Sequence, residues 1–398
     1  MRIVHVTTFL HPERFGGAER IVRSLARAQA AAGHDVAIVT SSSASGASPE
    51  TPATEDGVRV FRYALPPRAR GARFLLAVRR GTKAALARLG PSPEGVLHAH
   101  QLASAAPALA SPGGRRTVFS FYAPYAEERA AERGRTRAPL ERLAQRGAAH
   151  LDRACLRSAR VVHVLSRAAA AQAARLAPGV ADRLRTVPPG VDRAFSPPSD
   201  GRRPGSAPDG EGGGGPVRLV TVRRLVRRMG LTDLLAAVAR LRAAGTDVRL
   251  EVVGAGPEEE RLRRLVVELH LEGAVRLAGA LDDRALVERY RAADLFVLPS
   301  TSLEGFGMAT LEALACGVPV VGTTVGATPE LLRRWLPAAP CVPPGAETLA
   351  AGIGEALVRL PALRRDALAA AGAIAVDASW EAAADRMVRL YRAGGGSG

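Results

Sequence analysis

Asparagine is absent from this sequence and lysine occurs once, at Lys83, although 55 basic residues stand against 38 acidic ones. The basic charge is therefore almost wholly arginine. Both absences fit a genome poor in A/T-rich codons, so the net charge of +17 reflects codon composition in part, and not only a demand for an anionic partner. Aromatic residues make up 4%, and no basic tail interleaves with them. That argues against nucleic-acid binding, where stacking side chains accompany a basic groove. The three cysteines, Cys155, Cys316 and Cys341, are scattered and odd in number, which suits neither a disulfide framework nor a cysteine zinc site. No apolar run reaches the ~18 residues of a spanning helix. The opening "MRIVHVTTFL" is too short for a signal peptide and lacks a small-residue cleavage site. The expected location is the cytoplasm. One segment, "RFLLAVRRGTKAALARL" (Arg73 to Leu89), sets basic and apolar residues at near-helical spacing; it is a candidate face for peripheral association with an anionic inner membrane surface, although an ordinary packed helix with a solvated basic side is the leading reading.

What is present is enough for two cores. At 398 residues with 47% hydrophobic content, two domains are the first expectation. A strand over Ile3 to Thr7, a loop "TFLHPERFGG", a helix from Ala18 to Ala32 stopped by Gly33, and the strand "HDVAIVT" set a strand–helix–strand rhythm. That rhythm predicts an α/β fold with parallel sheets and crossover helices. It continues through "GVLHAH", "RTVFSF", "ARVVHVLS" and "LRTVPPGVD", and restarts at "VRLVTV" after a stretch too rich in glycine, proline and serine to build a core. The predicted organisation is a Rossmann-like acceptor-side domain over 1–196, a linker over 197–216, a second Rossmann-like domain over 217–378, and a terminal helix with a frayed tail over 379–398 that packs back across the domains. Ligands are expected at the carboxyl ends of both sheets, facing a central cleft.

The chemistry concentrates in "EGFGMATLEALACGVPVV", Glu304 to Val321. Gly305 and Gly307 let backbone approach a ligand closely, and a helix beginning near Met308 offers N–H groups and a dipole that favour an anion. Glu304 in the loop and Glu312, just over one turn inside the helix, can each accept hydrogen bonds from hydroxyls. A nucleotide sugar supplies both elements, a diphosphate and two sets of hydroxyls.

With "VGATPELL", "VLPS", "GAGPEEERL", "VPPGVD", "GGAER" and "HAH", this block resembles the retaining nucleotide-sugar glycosyltransferases of family 4, which have the two-domain GT-B fold. The resemblance extends across nearly the whole chain. It implies that Glu312 holds the ribose and Glu304 contacts the donor sugar, with Phe306 and Gly254 in the donor pocket. It places Arg224, in "TVRRLVRRMG", against the diphosphate, and sets Gly16 and Gly17 of "RFGGAER" as the glycine loop facing the donor phosphates. Of the histidines in "HAH", His100, at the end of its strand, is favoured over His98 to reach the cleft.

Two positions depart from the family pattern. Met229 stands where a lysine is usual, and Arg228 is the candidate replacement for its charge; Tyr122 and Ala123 stand where the acceptor loop elsewhere has histidine and glycine. No resident cofactor is implied, and no histidine and carboxylate cluster has metal-ligand spacing, so a metal-independent transfer is expected. The donor is a UDP- or GDP-sugar, and the acceptor a glycan, lipid or small molecule. The rival readings are a GT-B epimerase or phosphorylase, for which Lys83 is a poor cofactor lysine, and a non-catalytic sugar-nucleotide-binding partner subunit.

Overall fold

The computed structural model describes residues 1–10, 16–42, 52–66, 69–90, 95–111, 117–133, 139–199 and 215–393. They group into two compact units. The first comprises Met1–Glu128, Thr136–Gly190 and Trp380–Gly398, and the second Arg129–Arg135 and Val191–Ser379. The expected linker falls largely on residues 200–214, outside the described residues, as do residues 11–15 ahead of the glycine loop.

The first unit opens with β1 (Arg2–Val6), α1 (Gly17–Ala31) and β2 (Asp35–Ser42), within a residue or so of their predicted bounds. A hairpin not anticipated from sequence follows, β3 (Ala53–Glu55) and β4 (Val58–Ala64). Then come α2 (Gly71–Leu89), β5 (Val96–Ala99), α3 (Leu102–Leu109), β6 (Thr117–Phe121), α4 (Tyr125–Arg133, which groups with the second unit from Arg129 onward), α5 (Pro139–Ser158), β7 (Val161–Val164), α6 (Arg167–Leu176) and β8 (Leu184–Thr186). The strand order is β3-β4-β2-β1-β5-β6-β7-β8, and only the β3 and β4 pairing is antiparallel. Apolar runs such as Val36 to Val39 are buried on both faces, as helix-covered parallel strands require. The chain turns one way from β1 to β2 and the other way to β5, so the topological switch point lies between β1 and β5.

The second unit repeats the plan with β9 (Val217–Val222), α7 (Leu231–Ala243), β10 (Val248–Val253), α8 (Glu259–Glu268), β11 (Val275–Gly279), α9 (Asp283–Ala292), β12 (Leu295–Leu298), α10 (Met308–Ala315), β13 (Val320–Thr323), α11 (Thr328–Trp335), β14 (Cys341–Val342), α12 (Ala346–Val358) and α13 (Leu360–Asp377). Its sheet is wholly parallel in the order β11-β10-β9-β12-β13-β14, which puts the switch point between β9 and β12. Leu219, Leu234, Leu250, Leu295 and Ile353 form its core.

The last helix, α14 (Trp380–Ala393), buries Trp380, Met387, Leu390 and Tyr391 as the spacing predicts. It groups with the first unit, where it packs on α1. The unit boundary accordingly falls at Gly190 and Val191, a few residues before the predicted one.

Candidate active site at the strand ends

Two side chains meet at the switch point of the second sheet. Arg223 directly follows β9, and Glu304 lies in the loop after β12. Arg223 Nη2 donates to Glu304 Oε2 at 2.6 Å and to Ser300 Oγ at 2.8 Å, and Ser300 Oγ donates to the same carboxylate oxygen at 2.7 Å. Burial alone would raise the Glu304 pKa, but the charge of Arg223 and the hydrogen bonds from Arg223 and Ser300 outweigh it and hold the carboxyl below its ordinary value. Glu304 is therefore an anion held in a fixed orientation. Sequence reasoning missed Arg223 entirely.

Gly307 takes φ +89° at the start of α10, with no side-chain cap on that helix. A left-handed conformation of this kind strongly favours glycine, and it turns the chain so that the first N–H groups of α10 are left to a ligand. Gly305 lies in the same turn, and Phe306 between the two glycines is buried. Glu312, one turn into α10, is 4% exposed and accepts from the Tyr290 hydroxyl at 3.0 Å.

The other predicted residues of this unit fall around the same loop. Arg224 is half-exposed and ion-paired with Glu132, which groups with this unit. Arg228 is buried, donates to the Leu303 carbonyl at 3.2 Å, and has Glu132 at 3.6 Å. Met229 is buried too. Gly254 has φ +137°, and a Cβ there would stand 1.9 Å from the Arg223 carbonyl oxygen. Its glycine thus permits the backbone after β10 to close on the segment that aims Arg223.

In the first unit the space beside Gly16 is taken by the chain itself. A Cβ on Gly16 would lie 2.2 Å from Glu19 Oε2. Glu19 also accepts from Gln101 Nε2 at 2.9 Å, and Gln101 Oε1 accepts from the Thr8 and Phe9 amides at 3.0 and 2.9 Å. At the expected phosphate-facing loop of Gly16 and Gly17, the first turn of α1 thus carries its own carboxylate, Glu19.

His100 is 2% exposed, with Nε2 2.9 Å from His5 Nδ1 and Nδ1 2.8 Å from the Tyr122 hydroxyl. It therefore reaches the strand ends only through Tyr122. His98 is likewise buried, bonded to Tyr391 and Ser120 at 2.7 Å each. The sequence suggested no histidine cluster, yet pairing of β1 with β5 brings His5, His98 and His100 together, with one nitrogen from each within 4.8 Å of the others. All six of their ring nitrogens already have hydrogen-bond partners in protein.

Comparison with known proteins accords with this architecture. Residues 15–195 match the family described as Glycosyltransferase Family 4, and residues 211–387 match Glycosyl transferases group 1. A glycogen synthase of Mycobacterium tuberculosis is 30% identical over 99% of this chain and 95% of its own length. A GDP-mannose-dependent mannosyltransferase acting on monoacylated phosphatidylinositol monomannoside, from Corynebacterium glutamicum, is 35% identical over 42% of this chain and 45% of its own. Among solved structures, a sucrose-phosphate synthase from Thermosynechococcus elongatus superimposes with a TM-score of 0.79 at 25% identity, covering 98% of both chains. Anabaena HepE in complex with UDP and glucose gives 0.73 at 18% identity, over 99% of this chain and all of its own. With 30% identity to a glycogen synthase over 99% of its length, superposition on a sucrose-phosphate synthase over 98% of it, and two mostly parallel α/β sheets, the chain belongs to glycosyltransferase family 4 and has the GT-B fold.

Proposed function

We propose that this glycosyltransferase moves a glycosyl group, with retention of anomeric configuration, from a UDP- or GDP-sugar to a glycan, lipid or small-molecule acceptor. The observation that carries the reading is the ion pair of Arg223 with Glu304 across the β9/β12 switch point, beside the uncapped start of α10. Open parallel sheets bind nucleotides at such a point. Glu304, charged and fixed, accepts hydroxyls of the donor sugar, while Glu312 takes the ribose. Amides of the α10 turn receive the diphosphate.

Departure of the diphosphate builds negative charge, and preorganised cations and amides stabilise it with little reorganisation. Arg224 is the direct candidate. Arg223 and Arg228 both bring a guanidinium nitrogen to Met229 Sδ, at 2.6 and 3.9 Å, so the charge of an absent lysine is supplied by guanidinium groups. On this reading no metal is required. A Glu304 carboxylate already bonded to Arg223 and Ser300 suits orientation better than nucleophilic attack, which leaves the departing diphosphate as the base for the acceptor hydroxyl. HepE, crystallised with UDP-glucose, and the GDP-mannose-dependent relative supply the two donor classes to try first.

The proposed setting is the cytoplasmic membrane surface. Helix α2 contains no acidic residue, and Leu75 and Leu76, each 46% exposed, lie beside exposed Arg79, Arg80 and Lys83. Apolar side chains within a basic face are what an anionic bilayer attracts. No helix among the described residues is long and apolar enough to cross a membrane.

A thermal-shift series with UDP-glucose, GDP-mannose and ADP-glucose tests the donor reading. The true donor raises the melting temperature by mass action, and the shift should shrink in Glu312→Ala. Equal response to all three, or to none, would remove the assignment. Release of nucleotide diphosphate by the wild type separates the transferase from a non-catalytic binder.

A further inference from the structure

One carbonyl dictates the direction of every proton in the buried network of the first unit. The Val187 carbonyl can only accept, so His163 Nε2, 2.9 Å away, carries hydrogen. Neutral His163 then has a bare Nδ1, which takes the Ser120 hydroxyl proton at 2.7 Å. Having spent its one hydrogen, Ser120 must accept from His98 Nε2 at 2.7 Å, which leaves His98 Nδ1 to accept from the Tyr391 hydroxyl. Tyr391 in turn accepts from Gln29 Nε2 at 3.3 Å, which turns Gln29 Oε1 toward His5 Nε2 at 2.7 Å. His5 Nδ1 accepts from His100 Nε2, and His100 Nδ1 accepts from Tyr122. All four rings are Nε2–H tautomers, and every donor meets an acceptor. A second proton on any ring would set donor against donor. Burial supports neutrality, for it lowers the pKa of all four, to about 4 for His5 and His163.

The chain of bonds surfaces at Tyr122. This residue follows β6 at the carboxyl edge of the sheet, two strands from β1, and is half-buried, while His100 behind it follows β5. Its hydroxyl proton points inward, so what it offers outward is lone pairs. Glu19, at the start of α1 on the same edge, is another acceptor, and its charge acts on the Tyr122 hydroxyl. A phosphate meeting these groups would find acceptors facing acceptors and negative charge facing negative charge.

We infer that Tyr122 is a specificity-determining residue whose inward-committed proton makes this edge of the first unit select a neutral, hydroxyl-bearing acceptor over a phosphorylated one. The inference rests on the glycosyl-transfer reading and narrows its acceptor. His5, His98, His100 and His163 act through Tyr122 as positioning residues. A tyrosine whose proton were turned outward would lose this discrimination.

The test has two arms on the full chain. Long-range 15N–1H spectra of histidine-labelled protein at pH 7 should show four neutral Nε2–H rings, with the His100 signals identified from a His100→Gln sample. His100 protonated at Nδ1 would reverse the polarity and overturn the inference. Second, with UDP-glucose or GDP-mannose as donor, methyl glycosides and the corresponding sugar 6-phosphates are compared as acceptors. The neutral sugar should have the lower KM, and Tyr122→Phe should raise that KM about tenfold with a smaller change in kcat, the loss of one hydrogen bond being about 1.4 kcal/mol. A preference for the phosphorylated sugar, or an unmoved KM in a variant that keeps its melting temperature, overturns the inference. Failure of every nucleotide sugar to bind counts against the parent reading instead, and the tautomer pattern still decides the direction of the protons.

Discussion

Arg223 and Glu304 are 81 positions apart in sequence, yet the guanidinium and the carboxylate are 2.6 Å apart in the fold, both almost out of reach of solvent. A buried pair of this kind contributes orientation more than net stability, because each charge pays for desolvation. Removing one partner strands the other.

Arg223→Met is expected to destabilise the second unit by about 3–5 kcal/mol, the cost of an uncompensated buried charge. Urea unfolding of the single variants and of Arg223→Met with Glu304→Gln measures it. The double variant should recover much of the loss, and independent, additive losses would show that the two groups do not act as a pair.

Glu312→Ala is expected to weaken nucleotide-sugar binding about tenfold, about 1.4 kcal/mol, with little change in kcat. Calorimetric titration with the donor found by thermal shift checks this. Tyr290→Phe, which removes the hydroxyl that orients Glu312, should weaken binding in the same direction but less.

The buried histidines predict acid lability. Their folded pKa values lie below the ordinary 6.5, so the unfolded chain takes up protons first as pH falls. Stability is full above about pH 6.5 and declines toward pH 4, by up to about 1.4 kcal/mol per pH unit for each ring. The melting temperature should drop by on the order of 10 °C between pH 7 and pH 5. A flat profile over that interval would show that the rings are not held neutral.

Asp152 predicts the opposite slope. It lies buried in α5, and burial pushes its carboxyl up to about 7, against the hydrogen bond from the Ala126 amide at 3.5 Å. Its contribution is present below the ordinary carboxylate pKa and lost as pH rises through 7. Asp152→Asn, which keeps an acceptor for that amide, should stabilise by about 1–3 kcal/mol at pH 8 and not at pH 4. Thermal melts at the two pH values suffice.

Membrane attachment is checked by co-sedimentation with vesicles of anionic and of neutral lipid. Wild type should partition onto the anionic vesicles alone, and Leu75→Asp with Leu76→Asp should release it by tenfold or more. Equal binding of the double variant would remove α2 from that role.

Much of the fold was legible because buried parallel strands and amphipathic helices write their periods into local sequence. The predicted strand Ile3 to Thr7 is β1, and the helix from Ala18 to Ala32 is α1, each shifted by one residue. The start near Met308 was equally plain, since Gly305 and Gly307 mark the turn before α10. The antiparallel hairpin of β3 and β4 escaped notice: three residues carry too little pattern, and neighbouring residues 43–51 lie outside those described. The site was legible only where its residues are contiguous. Glu304, Glu312 and the glycines fall within one run of sequence, whereas Arg223 sits between Val222 and Arg224 with nothing local to say which arginine turns inward. The arginine singled out from sequence, Arg224, is the more exposed of the two. The histidine network was invisible for the same reason: His5, His98 and His163 look like isolated interruptions of apolar strands until parallel registers set them side by side.

Tyr391 joins His98 and Gln29 in the heart of the first unit although it stands among the last residues of the sequence. During synthesis, therefore, the first 190 residues can collapse and build most of their sheet, but His98 Nδ1 and Gln29 Nε2 lack this partner until the whole of the second unit has been made. A nonsense change anywhere from Trp380 to Tyr391 would leave that vacancy permanent, and the damage would surface at β5, nearly three hundred positions upstream of the lesion.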